Sequence, residues 1–135
     1  MFNKKKQPPI KSLIAEGSLI DGHLRFSDGL RVDGTVNGDI LAAQSQPSIL
    51  VISESASVTG TVNADHIIIN GQVKGPVHAR VLLELQPKAR IEGDVHYAAL
   101  EMHQGALIDG LLRPMVASEE KPTLVLAANN QAVNS

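Results

Sequence analysis

The sequence predicts an all-β fold in which short parallel strands wind into a β-solenoid of about six coils. Three observations lead to this prediction: a repeated five-residue unit, an apolar–polar alternation through that unit, and a spacing of about 17 residues between equivalent glycines. Eleven glycines and seven prolines interrupt the chain too often for long helices. Since two phenylalanines and one tyrosine are the only aromatic residues, the core must be aliphatic, and Val and Ile favour strands.

The repeated unit reads aliphatic-x-Gly-x-aliphatic. It occurs at residues 20–24, 32–36, 58–62, 69–73, 91–95 and 108–112. Side chains of a strand alternate between two faces, so Val32, Val36 and Ile40 share one face and Asp33 and Thr35 share the other. The first face is apolar and the second is polar, which indicates short strands with one buried face. A glycine on the inner face lets the chain bend at a corner where a side chain would collide with its neighbours.

The spacing of the glycines indicates how the strands stack. Gly22 and Gly38 are separated by about one coil, as are Gly75 and Gly93, and Gly93 and Gly110. The interval from Gly38 to Gly75 is close to two such coils. A coil of about 17 residues accommodates three short strands and three corners, and coils stack at roughly 4.8 Å, giving a rod about 25–30 Å long.

A β-sandwich of short strands is the alternative fold. Such a fold needs hairpins, which two-residue Asn-Gly turns commonly mark. Asn37-Gly38 and Asn70-Gly71 are present, but each lies inside an alternating segment and not between two strands. The longer stretch at residues 42–48 is better interpreted as an extended corner of a coil.

Composition divides the chain into three parts. We expect residues 1–12 to be a flexible basic leader, residues 13–113 to form the solenoid, and residues 114–135 to be a flexible tail. Residues 1–11 carry a charge of +4, residues 12–113 a charge of −5, and the remainder a charge of −1. An acidic body is a poor nucleic-acid binder, because phosphate contacts supply most of that affinity. The chain has no cysteine, no apolar run of about 18 residues and no secretory signal, so we expect a cytoplasmic protein.

The repeated units, the segment at residues 85–93 and the ending at residues 105–110 before Arg113-Pro114 resemble the bactofilins, and most of all their short, single-domain members linked to cell shape. The resemblance extends over about residues 12–113. It implies a right-handed parallel β-helix of triangular cross-section. It also implies filaments that form end to end without nucleotide, association with the inner face of the cytoplasmic membrane, and recruitment of cell-wall enzymes or morphogenesis proteins.

The two ends of the solenoid are the first candidate site. Outermost coils have unpaired backbone groups and an open apolar core, and exposed edges pair with other chains. The predicted N-terminal polymer interface consists of Leu13, Ile14, Leu19, Ile20 and Leu24. The predicted C-terminal interface consists of Leu107, Ile108, Leu111, Leu112 and Met115, of which Leu107 or Leu112 could be the exposed hydrophobe that supports assembly in bactofilins. The other interpretation is that these residues are core and that the apolar segment at residues 123–128 covers an end.

The leader is the second candidate site. Phe2 lies beside Lys4, Lys5 and Lys6, an arrangement that resembles the membrane-targeting leader of bactofilins. Each lysine near an anionic leaflet contributes about 1 kcal/mol. Three lysines and a partly inserted ring then give roughly 4–5 kcal/mol, a dissociation constant near a millimolar. Binding should therefore depend on the many leaders of a filament, unless the leader is simply a solvated terminus.

We expect no enzymatic activity, no cofactor and no metal site. The five histidines, His23, His66, His78, His96 and His103, have no metal-ligand spacing and are interpreted as surface or corner residues. A hexapeptide acyltransferase is the enzyme alternative, because Ile20, Phe26 and Val32 keep a six-residue period, but the period is lost from residue 38 onward. Polysaccharide lyases and hydrolases need long loops that this chain lacks, and no glycine-rich stretch carries a P-loop lysine.

Overall fold

The computed structural model describes residues 8–115, and all regular structure in that range is β-strand. The strands are β1 (Ile10–Ile14), β2 (Leu19–Asp21), β3 (Leu24–Phe26), β4 (Asp28–Val32), β5 (Thr35–Asn37), β6 (Ile40–Ala42), β7 (Ser48–Ile52), β8 (Ser57–Thr59), β9 (Val62–Ile69), β10 (Gln72–Lys74), β11 (Val77–Leu85), β12 (Arg90–Glu92), β13 (Val95–Met102), β14 (Leu107–Asp109) and β15 (Leu112–Pro114). Within residues 8–115 there is no helix that could cross a membrane.

The strands wind into a solenoid with three faces, and every strand pair is parallel. One face is a six-stranded sheet in the order β14-β12-β10-β8-β5-β2. A nine-stranded sheet supplies the other two faces, because β9, β11 and β13 run through a corner and serve both. β9 shows this directly: Val62 pairs with Ile40 of β6 on one face, and His66 pairs with Ile49 of β7 on the other. The predicted β-solenoid of about six coils is confirmed.

Register fixes where each coil begins and ends. Equivalent positions on the six-stranded face are occupied by Ile20, Val36, Val58, Val73, Ile91 and Ile108, so successive coils differ in length. The coil from Val36 to Val58 is the longest of these, because it includes the segment at residues 43–47, the extended corner expected from the sequence. The number of residues per coil therefore varies, whereas a hexapeptide acyltransferase keeps a fixed six-residue period.

The inward side chains form one aliphatic core along the axis of the rod. In one inward column Val32, Ile52, Ile69 and Leu85 are stacked on successive coils with no exposed surface. Burial of each such side chain contributes about 1.5–3 kcal/mol. Phe26 and Tyr97 pack only at the margin of this core. The predicted alternation holds, since Val32, Val36 and Ile40 are all buried while Asp33 and Thr35 are not.

Glycines form a column at one corner of the rod. Gly38, Gly60, Gly75 and Gly93 each follow a strand of the six-stranded face and have φ between 141° and 152°. A Cβ on Gly75 would lie 2.6 Å from the carbonyl carbon of Gly60 in the preceding coil, so a side chain cannot fit between the coils. The repeated units at residues 20–24, 58–62, 91–95 and 108–112 span this corner: Val58, for example, lies in β8 and Val62 opens β9. The units at residues 32–36 and 69–73 span the corner that leads into the six-stranded face.

The first strand begins at Ile10, ahead of the predicted start of the solenoid at residue 13. Ile10 to Ile14 pair with β4, and the Lys11 ammonium lies 2.8 Å from the Asp28 carboxylate. The basic composition of this segment predicted that it belongs to the leader. Its backbone instead pairs with β4 and completes the first coil. At the other end Pro114 belongs to β15, just past the predicted boundary. Residues 1–7 and 116–135, with the leader's Phe2 and lysines and the segment at residues 123–128, lie outside the described residues.

Candidate functional site

At the N-terminal end of the rod, three edge strands have a partner on one side only. β1, β2 and β3 pair with β4, β5 and β6, and no strand of the described residues lies beyond them. Leu13 and Leu19 of the predicted interface are 58% and 61% exposed. Ile20 and Leu24 are partly buried against the core, and Ile14 is buried as part of it. Among the predicted residues, the two leucines therefore supply most of the exposed apolar surface at this end.

At the C-terminal end, the last coil is equally open. β14 and β15 each have one neighbour, β12 and β13 respectively. Within the predicted interface, Leu107, Leu111 and Leu112 are between 49% and 59% exposed, Met115 is less exposed at 37%, and Ile108 is partly buried. The structure thus brings all five predicted residues to one end of the rod.

Register shows that leucines at both ends replace polar residues of the middle coils. Leu19 and Leu107 occupy the first and last positions of one outward row. Between them the same row carries only polar residues, namely Thr35, Ser57, Gln72 and Arg90. In this row the middle coils carry polar side chains, whereas the first and last coils carry leucines. Each end is therefore suited to contact with another protein surface rather than with water.

The sequence prediction omitted Met102 and Ile10, which are 45% and 46% exposed at the two ends. Met102 occupies the inward column directly after Leu85, so its side chain faces the core position of the last coil. It is exposed because no coil of the described residues follows. Met102 follows Leu85 by one coil in this column, but this relation becomes visible only when the register of β11 and β13 is known.

A carboxylate secures the corner that leads into the last strand. Asp94 accepts a hydrogen bond of 3.0 Å from the backbone N–H of Leu111, and its other oxygen lies 3.3 Å from Nε of Arg113. The hydrogen bond from Leu111, assisted by the charge of Arg113, lowers the pKa of Asp94. Asp39 makes the equivalent bond to the N–H of Thr61. These contacts join one coil to the next and position Leu111 at the end of the rod.

The histidines lie on the exterior, as expected, but two features were not apparent from the sequence. His78 and His96 occupy adjacent strands and stack with ring centroids 4.3 Å apart. His103 lies beside Glu84 and Glu101, with carboxylate oxygens 3.4 and 3.1 Å from its Nε2. Both features depend on the pairing of β11 with β13, because this pairing places His78 next to His96 and Glu84 next to Glu101. His23 lies at the corner after β2 and approaches Asp39, whereas His66 lies within β9 and is half-buried.

Comparison with known proteins identifies the family. The family model described as "Bactofilin: Polymer-forming cytoskeletal" matches residues 12–113. Bactofilin BacO of Myxococcus xanthus (strain DK1622) is 26% identical over 109 residues, which cover 81% of this chain and 83% of that protein. Bactofilin BacP of the same organism is 26% identical over 99 residues, which cover 73% of this chain but 40% of that protein. No solved structure gave a significant match.

The match includes part of all six coils and every exposed apolar residue of the two ends except Ile10 and Met115. Its description agrees with a rod whose two ends are open strand edges. The chain therefore belongs to the bactofilins, a family of polymer-forming cytoskeletal proteins.

Proposed function

We propose that this protein is a non-enzymatic scaffold whose rods assemble end to end into filaments without nucleotide. The observation that carries the proposal is the pair of leucines, Leu19 and Leu107, at the ends of an otherwise polar outward row. Apolar area buried between two rods stabilises the contact by about 25 cal/mol per Å². The unpaired edges of β2 and β14 can add backbone hydrogen bonds across the same contact.

The experiment is negative-stain electron microscopy of the purified full chain and of Leu107→Glu. Leu107 is 59% exposed, so the substitution leaves the core of the rod intact but places a charge in the end contact. Filaments of the wild type and short soluble species of Leu107→Glu are the expected result. Val81→Glu is the matched control, because Val81 is 47% exposed on the side of the rod and its variant should still form filaments. Filaments of normal length from Leu107→Glu would overturn the proposal.

We further propose that the filaments lie at the inner face of the cytoplasmic membrane, held there by Phe2, Lys4, Lys5 and Lys6. Support comes from the charge of the leader and from the resemblance described above. Because one leader binds only near the millimolar range, membrane binding should require polymerisation. Liposomes containing anionic lipid, floated through a density gradient, should carry wild-type filaments with them but neither Phe2→Glu nor Leu107→Glu. Flotation of Phe2→Glu at the wild-type level would contradict the role of the leader, and that of Leu107→Glu would contradict the role of avidity.

At the membrane, the proposed filament positions cell-wall enzymes or morphogenesis proteins and so influences cell shape. A rod with three flat faces repeats its outward rows along a filament and offers many identical sites to such partners. In a strain lacking the protein, wild-type and Val81→Glu copies should restore cell dimensions, whereas Leu107→Glu should not. Restoration by Leu107→Glu at equal expression would show that the cellular role does not need the polymer.

A further inference from the structure

Three side chains with metal-binding donors converge at the C-terminal end of the rod. Glu84 lies in β11, Glu101 in β13, and His103 in the corner that follows β13. One donor atom from each lies within 4.8 Å of the other two. The Nε2 of His103 is 3.1 Å from Oε2 of Glu101 and 3.4 Å from Oε2 of Glu84. All three groups therefore face one point outside the last two coils.

Backbone register forces the two carboxylates together. Glu84 and Glu101 are directly paired in the parallel ladder between β11 and β13. Like charges in such a position destabilise a sheet. The earlier positions of the same outward row are Leu13, Arg31, Val51 and Ile68, so two acids follow one another only here along this row.

His103 is the ion-pair partner that the described residues offer to both carboxylates. With a neutral imidazole the three side chains together carry a net charge of −2, and with a protonated imidazole they still carry −1. A divalent cation would balance both carboxylates at once. The side-chain amide of Gln86 donates a hydrogen bond of 3.2 Å to Oε2 of Glu84, which holds that carboxylate toward the cluster. Such an outer partner is typical of metal sites, where it orients the ligand.

We propose that Glu84, Glu101 and His103 form a Zn²⁺ site that joins the last coil to the one before it. One imidazole nitrogen and two carboxylates are a donor set that zinc accepts, with water completing the coordination. An imidazole ligand disfavours Mg²⁺ and Ca²⁺, which take oxygen ligands. The metal would connect Glu84 of one coil to Glu101 and His103 of the next, close to the exposed Met102. Zinc thereby stabilises the terminal coil, because it binds the folded arrangement and not the unfolded chain.

The test measures zinc binding to the purified full chain by competition with a chromogenic zinc chelator. We expect one equivalent of Zn²⁺ per chain, with no competition from millimolar Mg²⁺. Loss of an outer partner alone typically costs 10–100-fold in affinity, so His103→Ala should weaken binding at least about tenfold. Glu101→Gln, which keeps shape and removes charge, should weaken it similarly. Circular dichroism of each variant confirms that the β-fold is retained.

The stacked pair of histidines provides the matched control. His78→Ala/His96→Ala removes two imidazoles from the same two strands and should bind zinc as the wild type does. X-ray absorption at the zinc edge should show a nitrogen and oxygen shell with one imidazole. Wild-type affinity in His103→Ala, loss of binding in the double variant, or a shell with two imidazoles would each overturn the proposal.

Discussion

Substitution of Gly75 by alanine tests whether the glycine column at the corner holds the coils at their spacing. Gly75 has φ of +146°, and its Cβ would collide with the carbonyl group of Gly60. The unfavourable backbone conformation costs about 1–3 kcal/mol. Separation of the coils also weakens the hydrogen bonds from Gly60 N–H to Lys74 and from Gly75 N–H to Glu92, at about 0.5–1.5 kcal/mol each. The free energy of unfolding should therefore fall by roughly 2–6 kcal/mol.

Gly22→Ala is the control, because Gly22 has a similar φ of +126° but no atom within 4 Å of the added Cβ. It should lose only the conformational part, about 1–3 kcal/mol. Urea unfolding followed by circular dichroism gives both values, measured in a Leu107→Glu background so that assembly does not add to stability. Equal losses for the two variants would refute the view that contact between coils, rather than backbone conformation, requires glycine in this column.

Three further predictions concern the core, the exterior and the last corner. Leu83→Ala should lower the free energy of unfolding by about 2–5 kcal/mol in urea, because the fully buried side chain leaves a cavity. Burial, followed by the charge of His96, lowers the pKa of His78, so its folded form binds fewer protons than the unfolded chain. Stability should therefore decline as the pH falls from about 6.5 toward that lowered pKa, and His78→Gln should decline less between pH 7.5 and 5.5. A decline that is the same in both would contradict the assignment. Asp94→Ala, which removes the acceptor, should speed hydrogen exchange of the Leu111 amide at neutral pH, whereas in the wild type that protection is lost only when acid protonates the carboxylate through its lowered pKa. Unchanged exchange in Asp94→Ala would show that this carboxylate does not secure the corner.

Much of the fold could be predicted from the sequence because inward positions and corners impose different residue types. Most inward positions carry an aliphatic side chain, with the buried Ser48 as an exception, and the glycine column leaves no room for a side chain. Both patterns can therefore be recognised in the sequence. Strand ends are less visible, since alternation continues through a corner: Val32 and Val36 are both buried although the chain turns between β4 and β5.

That Glu84 lies close to Glu101 and His103 could not be predicted from the sequence. Coils of unequal length prevent a fixed offset from identifying partners, and β11 carries an irregularity between Ala79 and Leu82 that shifts its register. Exposed end residues raise a similar difficulty. Leu19 and Leu107 are ordinary leucines in the sequence, and only the register shows that they occupy a row otherwise filled by polar side chains.

The extended corner at residues 43–47 has a practical consequence for imaging. It lengthens its coil relative to the neighbouring ones, yet Val36 and Val58 remain in register with each other. Its far end is secured by Ser48, whose N–H donates to Asp65 while its hydroxyl accepts from the Asp65 N–H. Gln44, Ser45 and Gln46 are exposed. A short epitope or a self-labelling peptide inserted after Ser45 should project sideways without disturbing either end, so that every subunit of a polymer carries one fluorophore at a constant interval.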